Sequence, residues 1–277
     1  MRTASNIRHA LAHLATLPDR EIKITDSALL LAPLGRPRAS VEPYRRHLDK
    51  LAHEVRAYAG SDGTDTGLGL RAEALVQVIA KRYGYRGEDE EEPDYATLTQ
   101  VIDNRQGTPA ALAIVYLHVA QSLGWPATGI DFPTRLLIRL EHGAAGLILD
   151  PAAGGRSLAA QDLRDLLKAA TSNDAELTPN HYRPATNRDI LLRLHGDYKV
   201  RLLRHERFEE ALEAVEIMLL FAPGTARLWR EAGLLNARLE RLEAAVASLE
   251  EYMRCTPADG SRYRASVLLQ ELRGRLN

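Results

Sequence analysis

The last third of the chain contains a 34-residue self-similarity, which constrains the fold more than any other feature of the sequence. Phe208–Ala211 recurs as Leu242–Ala245, Val215 recurs as Leu249, and Ala222-Pro223 recurs as Thr256-Pro257. A period of this length predicts stacked helical hairpins, because one hairpin cannot bury its apolar face alone. The predicted helices lie near residues 188–205, 207–221, 225–239, 241–255 and 261–275. The last of them is expected to cover the open end of the stack.

This period resembles the tetratricopeptide repeat. Trp229 and Gly233 lie where that motif places its Trp and its small Gly, and Ala211 and Ala245 lie where two helices must approach closely. The resemblance implies a groove that binds a peptide or a helix of another protein. The candidate partner-binding residues are Trp229, Arg230 and Asn236. The alternative is that the repeats only brace the preceding domain.

The composition is that of a soluble globular protein. The 277 residues are 45% hydrophobic and 26% charged. A net charge of −1 gives no electrostatic reason to expect nucleic acid or an anionic membrane as a partner. We find no apolar run of about 20 residues and no signal-peptide core near Met1–Ala10. Because Cys255 is the single cysteine, a disulfide framework is excluded and a cytoplasmic protein is expected.

The middle of the chain predicts an α+β fold around one buried helix. Residues 108–123 are apolar on nearly every side, with Thr108 as the N-cap and Pro109 at the first helical position. Short strands are predicted at 127–130, 136–140 and 146–149, which suits a small antiparallel sheet.

The rest of the chain sets the predicted domain boundaries. A helical N-terminal part is predicted from the segments 6–17, 28–34, 40–59, 70–83 and 94–102. Ser157 is expected to open a helix that ends near Ala170. Residues 171–186 are polar, contain Pro179 and Pro184, and predict a linker. The predicted domains are therefore 1–178 and 187–277.

A central buried helix that leads into an antiparallel sheet and an Asp-Pro pair resembles the transglutaminase/papain-like core. Four motifs are similar to a narrower group, the SirB-type bacterial transglutaminase-like family, whose members also end in tetratricopeptide-like repeats. These motifs are Asp103-Asn104-Arg105-Gln106-Gly107-Thr108-Pro109, Leu123-Gly124-Trp125-Pro126, Gly129-Ile130-Asp131-Phe132-Pro133 and Asp150-Pro151. The superfamily implies a Cys nucleophile at the start of the helix, with a His and an Asp on two successive strands.

Carried onto this sequence, the resemblance places Pro109 at the Cys position, Arg135 at the His position and Asp150 at the Asp position. Proline has no nucleophilic atom, and a guanidinium that stays protonated cannot act as a general base. We therefore expect a pseudoenzyme in which Arg135 pairs with Asp150. The alternative is that Arg135 extends to solvent while Asp150 only caps its own turn.

Other residues offer no replacement chemistry. Cys255 is expected to be a buried packing thiol, and Thr108 to cap its helix. The nine histidines form no ligand pattern, so neither a metal nor a cofactor is predicted. Asp103 and Arg105 are expected to form an ion pair that fixes the turn before the central helix.

These observations favour a non-catalytic scaffold or regulatory protein that binds other proteins through the repeat groove or the former cleft. Two alternatives stay open. One is a hydrolase or acyltransferase of unrecognised mechanism. The other is a small-anion sensor that uses Arg135 in the former active-site cleft.

Overall fold

The computed structural model describes residues 4–31, 40–60, 67–88, 92–256 and 260–276. The α-helices are α1 (Ala4–Leu14), α2 (Ile24–Leu31), α3 (Glu42–Ala59), α4 (Leu68–Leu75), α5 (Leu98–Asn104), α6 (Pro109–Ser122), α7 (Ala160–Ala170), α8 (Asn187–Arg204), α9 (Phe208–Phe221), α10 (Ala226–Arg238), α11 (Leu242–Cys255) and α12 (Gly260–Leu276). The strands are β1 (Arg86–Gly87), β2 (Gln106–Gly107), β3 (Ala127–Asp131), β4 (Leu136–His142), β5 (Ala145–Asp150), β6 (Arg156–Leu158) and β7 (Pro184–Ala185). This mixture confirms the predicted α+β class.

The chain divides into two compact units. The first unit is Asp19–Leu194, and the second combines the residues before Asp19 with those from His195 onward. The division therefore lies inside α8 and not in the predicted linker. Helix α1, predicted as part of the first domain, belongs to the second unit, where it packs on α9 and Arg8 pairs with Glu213 at 3.1 Å.

Helix α6 is the centre of the first unit. Ten of its residues are buried, and they face every direction around the helix axis. Helices α2, α3 and α5 and strands β3 and β4 pack against it. The apolar residues on all sides of α6 therefore predicted its central position correctly, because only a helix that is covered on every side can bury all of them.

The main sheet has the strand order β6-β5-β4-β3-β7, and all neighbours are antiparallel. The three predicted strands are β3, β4 and β5. The predicted linker contributes β7, in which Pro184 pairs with Ile130 and Ala185 pairs with Gly129. Proline is tolerated there because β7 is an edge strand that needs no further donor. Residues 179–186 are thus part of the first unit and not a free connection.

Three helices start three or more residues from the predicted position. Helix α2 begins at Ile24 and not at Ala28, and its predicted end at residues 32–34 lies outside the described residues. Ser157 lies in β6, where Leu149 is its partner on β5, and α7 begins only after Ala159. The Asp162 carboxylate accepts the Ala159 N–H at 2.8 Å and so caps the N-terminus of α7. Helix α5 begins after Thr97 and not at Asp94. The predicted caps were therefore wrong, because Ser157 belongs to β6 and the N-cap of α5 is Thr97, whose side chain makes no capping hydrogen bond.

Residues Val76–Arg82 form a π-helix that directly continues α4. The wider turn is visible where the Tyr83 N–H donates to the Val78 carbonyl at 3.0 Å. Leu75, Val78 and Ile79 are buried, and Gly84, at φ 75°, lies just beyond the end. The sequence predicted a regular helix here, because a π-helix has no composition of its own.

The second unit confirms the 34-residue repeat. Helices α8 and α9 form one hairpin, α10 and α11 form the next, and α12 comes after them. Ala211 and Ala245 are both fully buried. A Cβ added to Gly233 would lie 2.7 Å from Leu249 Cγ, so α10 and α11 approach as closely as the motif requires. Of the recurring pairs, only Pro257 lies outside the described residues.

The repeat extends to the backbone of its turns. Glu206 and Glu240, which are 34 positions apart, have φ values of 56° and 57°. The next amides, of Arg207 and Arg241, donate to carbonyls five residues earlier at 2.9 Å in both turns. A left-handed residue between two helices is usually glycine. The two hairpins therefore share one turn geometry that the residue types do not indicate.

None of the helices in the described part of the chain is both long and apolar enough to cross a membrane.

The buried position of Ala245 allows a direct test of the repeat. We expect Ala245→Leu to lower the free energy of unfolding by about 1–3 kcal/mol, because the added methyl groups overpack the crossing of α10 and α11. Ala244→Leu, on the exposed side of the same helix, is the matched control and should change stability by less than about 0.5 kcal/mol. Urea unfolding measures both, and equal midpoints for the two variants would contradict the assignment.

Candidate functional site

The start of α6 holds the first residue of the implied triad. The Thr108 hydroxyl accepts the Ala111 N–H at 3.3 Å, and Thr108 is 1% exposed. Pro109 follows in the first helical turn. The predicted cap is thus confirmed. A threonine buried in this role is poorly placed to attack a substrate.

Arg135 and Asp150 come together at one end of the sheet. Arg135 lies just before β4 and Asp150 is the last residue of β5. Arg135 Nη1 donates to Asp150 Oδ2 at 2.8 Å. Asp150 is 2% exposed, whereas the Arg135 side chain is 31% exposed. The predicted pair is confirmed, and it satisfies a carboxylate that would otherwise be buried alone.

The second oxygen of Asp150 caps the turn after β5. Asp150 Oδ1 accepts the N–H groups of Ala152 at 3.0 Å and Ala153 at 3.2 Å. Asp150 therefore pairs with Arg135 and caps its own turn at the same time, so the alternative in which it only caps the turn is wrong.

Tyr116 lies two turns along α6 from Pro109 and close to the Asp150 turn. Its hydroxyl is fully buried, and burial together with the nearby Asp150 carboxylate raises the pKa of Tyr116 well above its ordinary value. A Cβ at Gly155 would lie 2.8 Å from that hydroxyl, and the φ of Gly155 is 77°. Glycine is therefore required where the turn closes over Tyr116.

A two-stranded parallel sheet links this turn to the start of α6. Strand β1 pairs with β2, which immediately precedes Thr108. The Gly87 N–H donates to the Ala152 carbonyl at 3.0 Å. A Cβ at Gly87 would lie 2.8 Å from that same oxygen, so β1 and the turn pack backbone to backbone. The three positions of the implied triad are thus held in one connected region.

Next to this region, Arg105, Tyr85 and His47 form a chain of hydrogen bonds. Arg105 Nη1 donates to the Tyr85 hydroxyl at 2.8 Å, and that hydroxyl lies 3.0 Å from His47 Nε2. Because the hydroxyl accepts from a cation, its own proton is available to His47 Nε2, which is then the acceptor. The guanidinium also lies over the Tyr85 ring at 5.0 Å.

This chain replaces the predicted pair of Asp103 and Arg105. Asp103 instead accepts the Tyr44 hydroxyl at 3.0 Å. Arg105, at a φ of 60°, donates to the Tyr85 hydroxyl and not to Asp103. The expectation of an Asp103–Arg105 ion pair was therefore wrong, because each of the two side chains binds a tyrosine hydroxyl instead.

The environment of His47 keeps it neutral. Its pKa is lowered to about 4 by burial first, and then by the positive charges of Arg105 and Lys50. The carboxylates of Asp103 and Glu54 act in the opposite direction but are weaker.

The predicted partner-binding residues of α10 have different surroundings. Arg230 is exposed. Trp229 is half-buried against the core of α11 and α12, and its indole N–H donates to the Pro223 carbonyl at 2.8 Å. Asn236 is 5% exposed and donates to the Ala232 carbonyl in its own helix. Of the three, Arg230 alone presents its polar group to solvent.

Cys255 is exposed and not buried. The expectation of a packing thiol was wrong. Cys255 lies three residues after the buried Tyr252, but it is the last residue of α11, where the end of the helix is open to solvent.

Comparison with known sequences agrees with this architecture. The profile of the transglutaminase-like superfamily matches residues 42–196, more than half of the chain, and a tetratricopeptide repeat profile matches residues 198–270. The chain therefore belongs to the transglutaminase-like superfamily.

Its relatives define the group within that superfamily. The chain is 28% identical over 252 residues to a UPF0162 protein of Xylella fastidiosa, covering 89% of this chain and 88% of that protein. It is 31% identical over 192 residues to the UPF0162 protein YchA of Escherichia coli, and 29% identical over 192 residues to Protein SirB1 of Salmonella typhimurium. Each of these two matches covers 68% of this chain and 71% of the relative. The chain is thus a member of the SirB-type family with tetratricopeptide repeats.

Among solved structures, the crystal structure of menin, which reports the binding site for Mixed Lineage Leukemia (MLL) protein, gives a TM-score of 0.37. The identity is 9%, over 91% of this chain and 70% of that chain. These values are too low to carry an argument.

Sequence reasoning missed Tyr116, Tyr85 and His47. Tyr116 lies within the apolar run of α6, and its phenol, two turns from Pro109, is the signal that could have indicated it. His47 and Tyr85 are 38 positions apart and carry no local pattern, so only the fold brings them together.

The Arg135–Asp150 pair can be measured with a double-mutant cycle. We expect Arg135→Ala to cost about 3 kcal/mol of stability, because it leaves a buried carboxylate without its cation. The coupling with Asp150→Asn should be about 1–3 kcal/mol. The exposed pair of Arg139 and Glu141, 3.2 Å apart, is the matched control and should couple by less than about 1 kcal/mol. Additive effects at Arg135 and Asp150 in chemical denaturation would contradict the pairing.

The lowered pKa of His47 predicts a pH dependence of stability. An unfolded His titrates near 6.5 and folded His47 near 4, so between these values the unfolded state binds more protons. Stability is therefore present above pH 6.5 and is lost as the pH falls toward 4. For a half-exposed group the loss should be about 1–2 kcal/mol.

His47→Gln removes this titration but can still accept from Tyr85. The variant should lose less stability than the wild type between pH 7 and pH 4.5, as measured by urea unfolding at each pH. His53→Gln, on the exposed side of the same helix, is the control and should follow the wild-type profile. Identical slopes for His47→Gln and the wild type would contradict the role of His47.

Proposed function

We propose that this protein is a non-catalytic regulator that binds other proteins, built on a transglutaminase-like unit and a short tetratricopeptide stack. The observation that carries this proposal is the use of Asp150. In an intact triad this carboxylate orients a histidine, whereas here it binds Arg135 and its own turn. With proline at position 109, the region holds neither a nucleophile nor a base in the implied positions. The repeats, Arg230 among their exposed residues, provide the binding surface.

The alternatives find less support in the geometry. The Arg135–Asp150 pair cancels the positive charge on which an anion sensor would depend. An acyl transferase would need a nucleophile within hydrogen-bond reach of a base, and Thr108 is committed to its cap. Nucleic acid and membrane are not among the proposed partners, and a cytoplasmic location is part of the same proposal.

Thiol-dependent activity should be absent. We expect no amine incorporation or peptide hydrolysis above the uncatalysed rate, and no change after alkylation of the exposed Cys255. The measurement is a screen of acyl-transfer and peptidase substrates with the untreated and the alkylated protein, and with Asp150→Asn. Turnover that is lost on alkylation or in the Asp150→Asn variant would contradict the proposal.

Partner binding can be tested on the full chain. Proteins captured from the native cells should include at least one that is lost with the double variant Arg230→Glu and Leu234→Asp, both exposed on α10. Arg56→Glu, on the exposed side of α3, is the control for added negative charge. Capture that is equal for the wild type and the α10 variant would contradict binding through this face of the repeats.

A further inference from the structure

The 34-residue period shows that α12 exposes a face that its equivalents bury. In α10, the residues that face α11 are Trp229, Gly233 and Asn236. Trp229 is half-buried, Gly233 contacts Leu249, and Asn236 is buried. One period later, in α12, the corresponding residues are Tyr263, Val267 and Gln270.

These equivalents in α12 are open to solvent. Tyr263 is 71% exposed and Val267 is 49% exposed, and Gln270 is also exposed. The opposite side of α12 packs on the preceding hairpin through Ala265, Leu269 and Leu272. A helix that only capped the stack would carry a polar outer face. In each of the two preceding hairpins, the second helix (α9 or α11) packs on one side of the first helix (α8 or α10). Helix α12 leaves the corresponding side exposed.

The charges of the repeat helices indicate what kind of helix fits there. The first helices, α8 from His195 onward, α10 and α12, hold ten Lys and Arg residues against three Asp and Glu residues. The second helices, α9 and α11, hold seven Glu residues against one Arg. A basic first helix and an acidic second helix are thus the rule within this unit. The net charge of −1 for the whole chain conceals this segregation.

The basic character of α12 also argues against a second copy of α12 as the occupant. Arg273 and Arg275 already pair with Glu250 and Glu240. Arg264, exposed beside Tyr263, has no ion pair with any residue that the structure describes. Two α12 helices face to face would bring like charges together, whereas an acidic helix would supply a carboxylate to Arg264.

We propose that the exposed face of α12 binds an acidic amphipathic helix of a partner protein, which takes the place of a second helix in a third hairpin. This inference rests on the proposed function and specifies the surface and the chemistry of the partner. The helix should resemble α9 and α11 in its glutamates and in its buried alanine. It should differ from α11 at one point. In α10, Gly233 leaves room for Leu249 of α11. The equivalent residue of α12 is Val267, so the partner residue at the position of Leu249 must be small.

The test uses the full chain and a displayed library of 16-residue peptides built on the α11 sequence, residues 241–256. The positions equivalent to Glu243, Ala245, Leu249 and Glu250 are randomised, and Cys255 is replaced by serine. Selected peptides should keep the glutamates and carry Ala, Ser or Gly in place of Leu249. Val267→Asp and Arg264→Glu should each weaken their binding by about tenfold or more.

Val200→Asp is the matched control, since Val200 is 42% exposed on α8 and the same side chain is replaced. It should leave the affinity unchanged. Circular dichroism melting of each variant separates loss of binding from loss of folding.

Three results would overturn the inference. The first is a selection that yields neutral or basic peptides, or no peptide at all. The second is binding that survives Val267→Asp. The third is a dimer in sedimentation that Val267→Asp abolishes, since this would assign the face to a second copy. Native proteins that are lost with the α10 variant but retained by Val267→Asp would leave the proposed function standing and remove only this inference.

Discussion

The first unit depends on one constraint, the burial of α6 on every side. A helix with ten buried residues distributed around its axis cannot rest on a surface and must be enclosed. The sheet covers one side, and α2, α3 and α5 cover others. The start of α6 then comes directly after β2, and β1 joins β2 to the turn after β5. The enclosure of one helix therefore fixes where Pro109, Arg135 and Asp150 lie.

Asp150 shows how a buried carboxylate can serve two structural ends at once. One oxygen accepts from a guanidinium and the other from two backbone amides. A carboxylate is costly to bury unless both of its oxygens accept hydrogen bonds. In the proposed pseudoenzyme, replacement of the histidine by arginine supplies that donor permanently. The site becomes a support for the turn that closes over Tyr116.

The repeat and the enclosed helix could be predicted from the sequence, because both rest on periodic or local patterns. Ala245 and the α6 helix are where those patterns placed them. Features that depend on contacts between distant segments could not be predicted. The segment with Pro184 was predicted to be a linker, but it pairs with β3. Arg105 was predicted to pair with Asp103, but its backbone is left-handed and its side chain binds Tyr85. In each case a residue type with several local roles had its role decided by a neighbour far away in the chain.

The π-helix at Val76–Arg82 sets the register of the residues after it. A π turn contains one residue more than an α turn, so a deletion within this segment is compatible with an ordinary α-helix. Such a deletion would turn the helical side chains after it by about 100° around the axis, and the segment with Tyr85 would leave the helix from a rotated position. Tyr83 would leave the carboxylate of Glu54, and Tyr85 would leave His47 and Arg105. The single extra residue thus acts as the spacer that keeps both tyrosines aimed at α3.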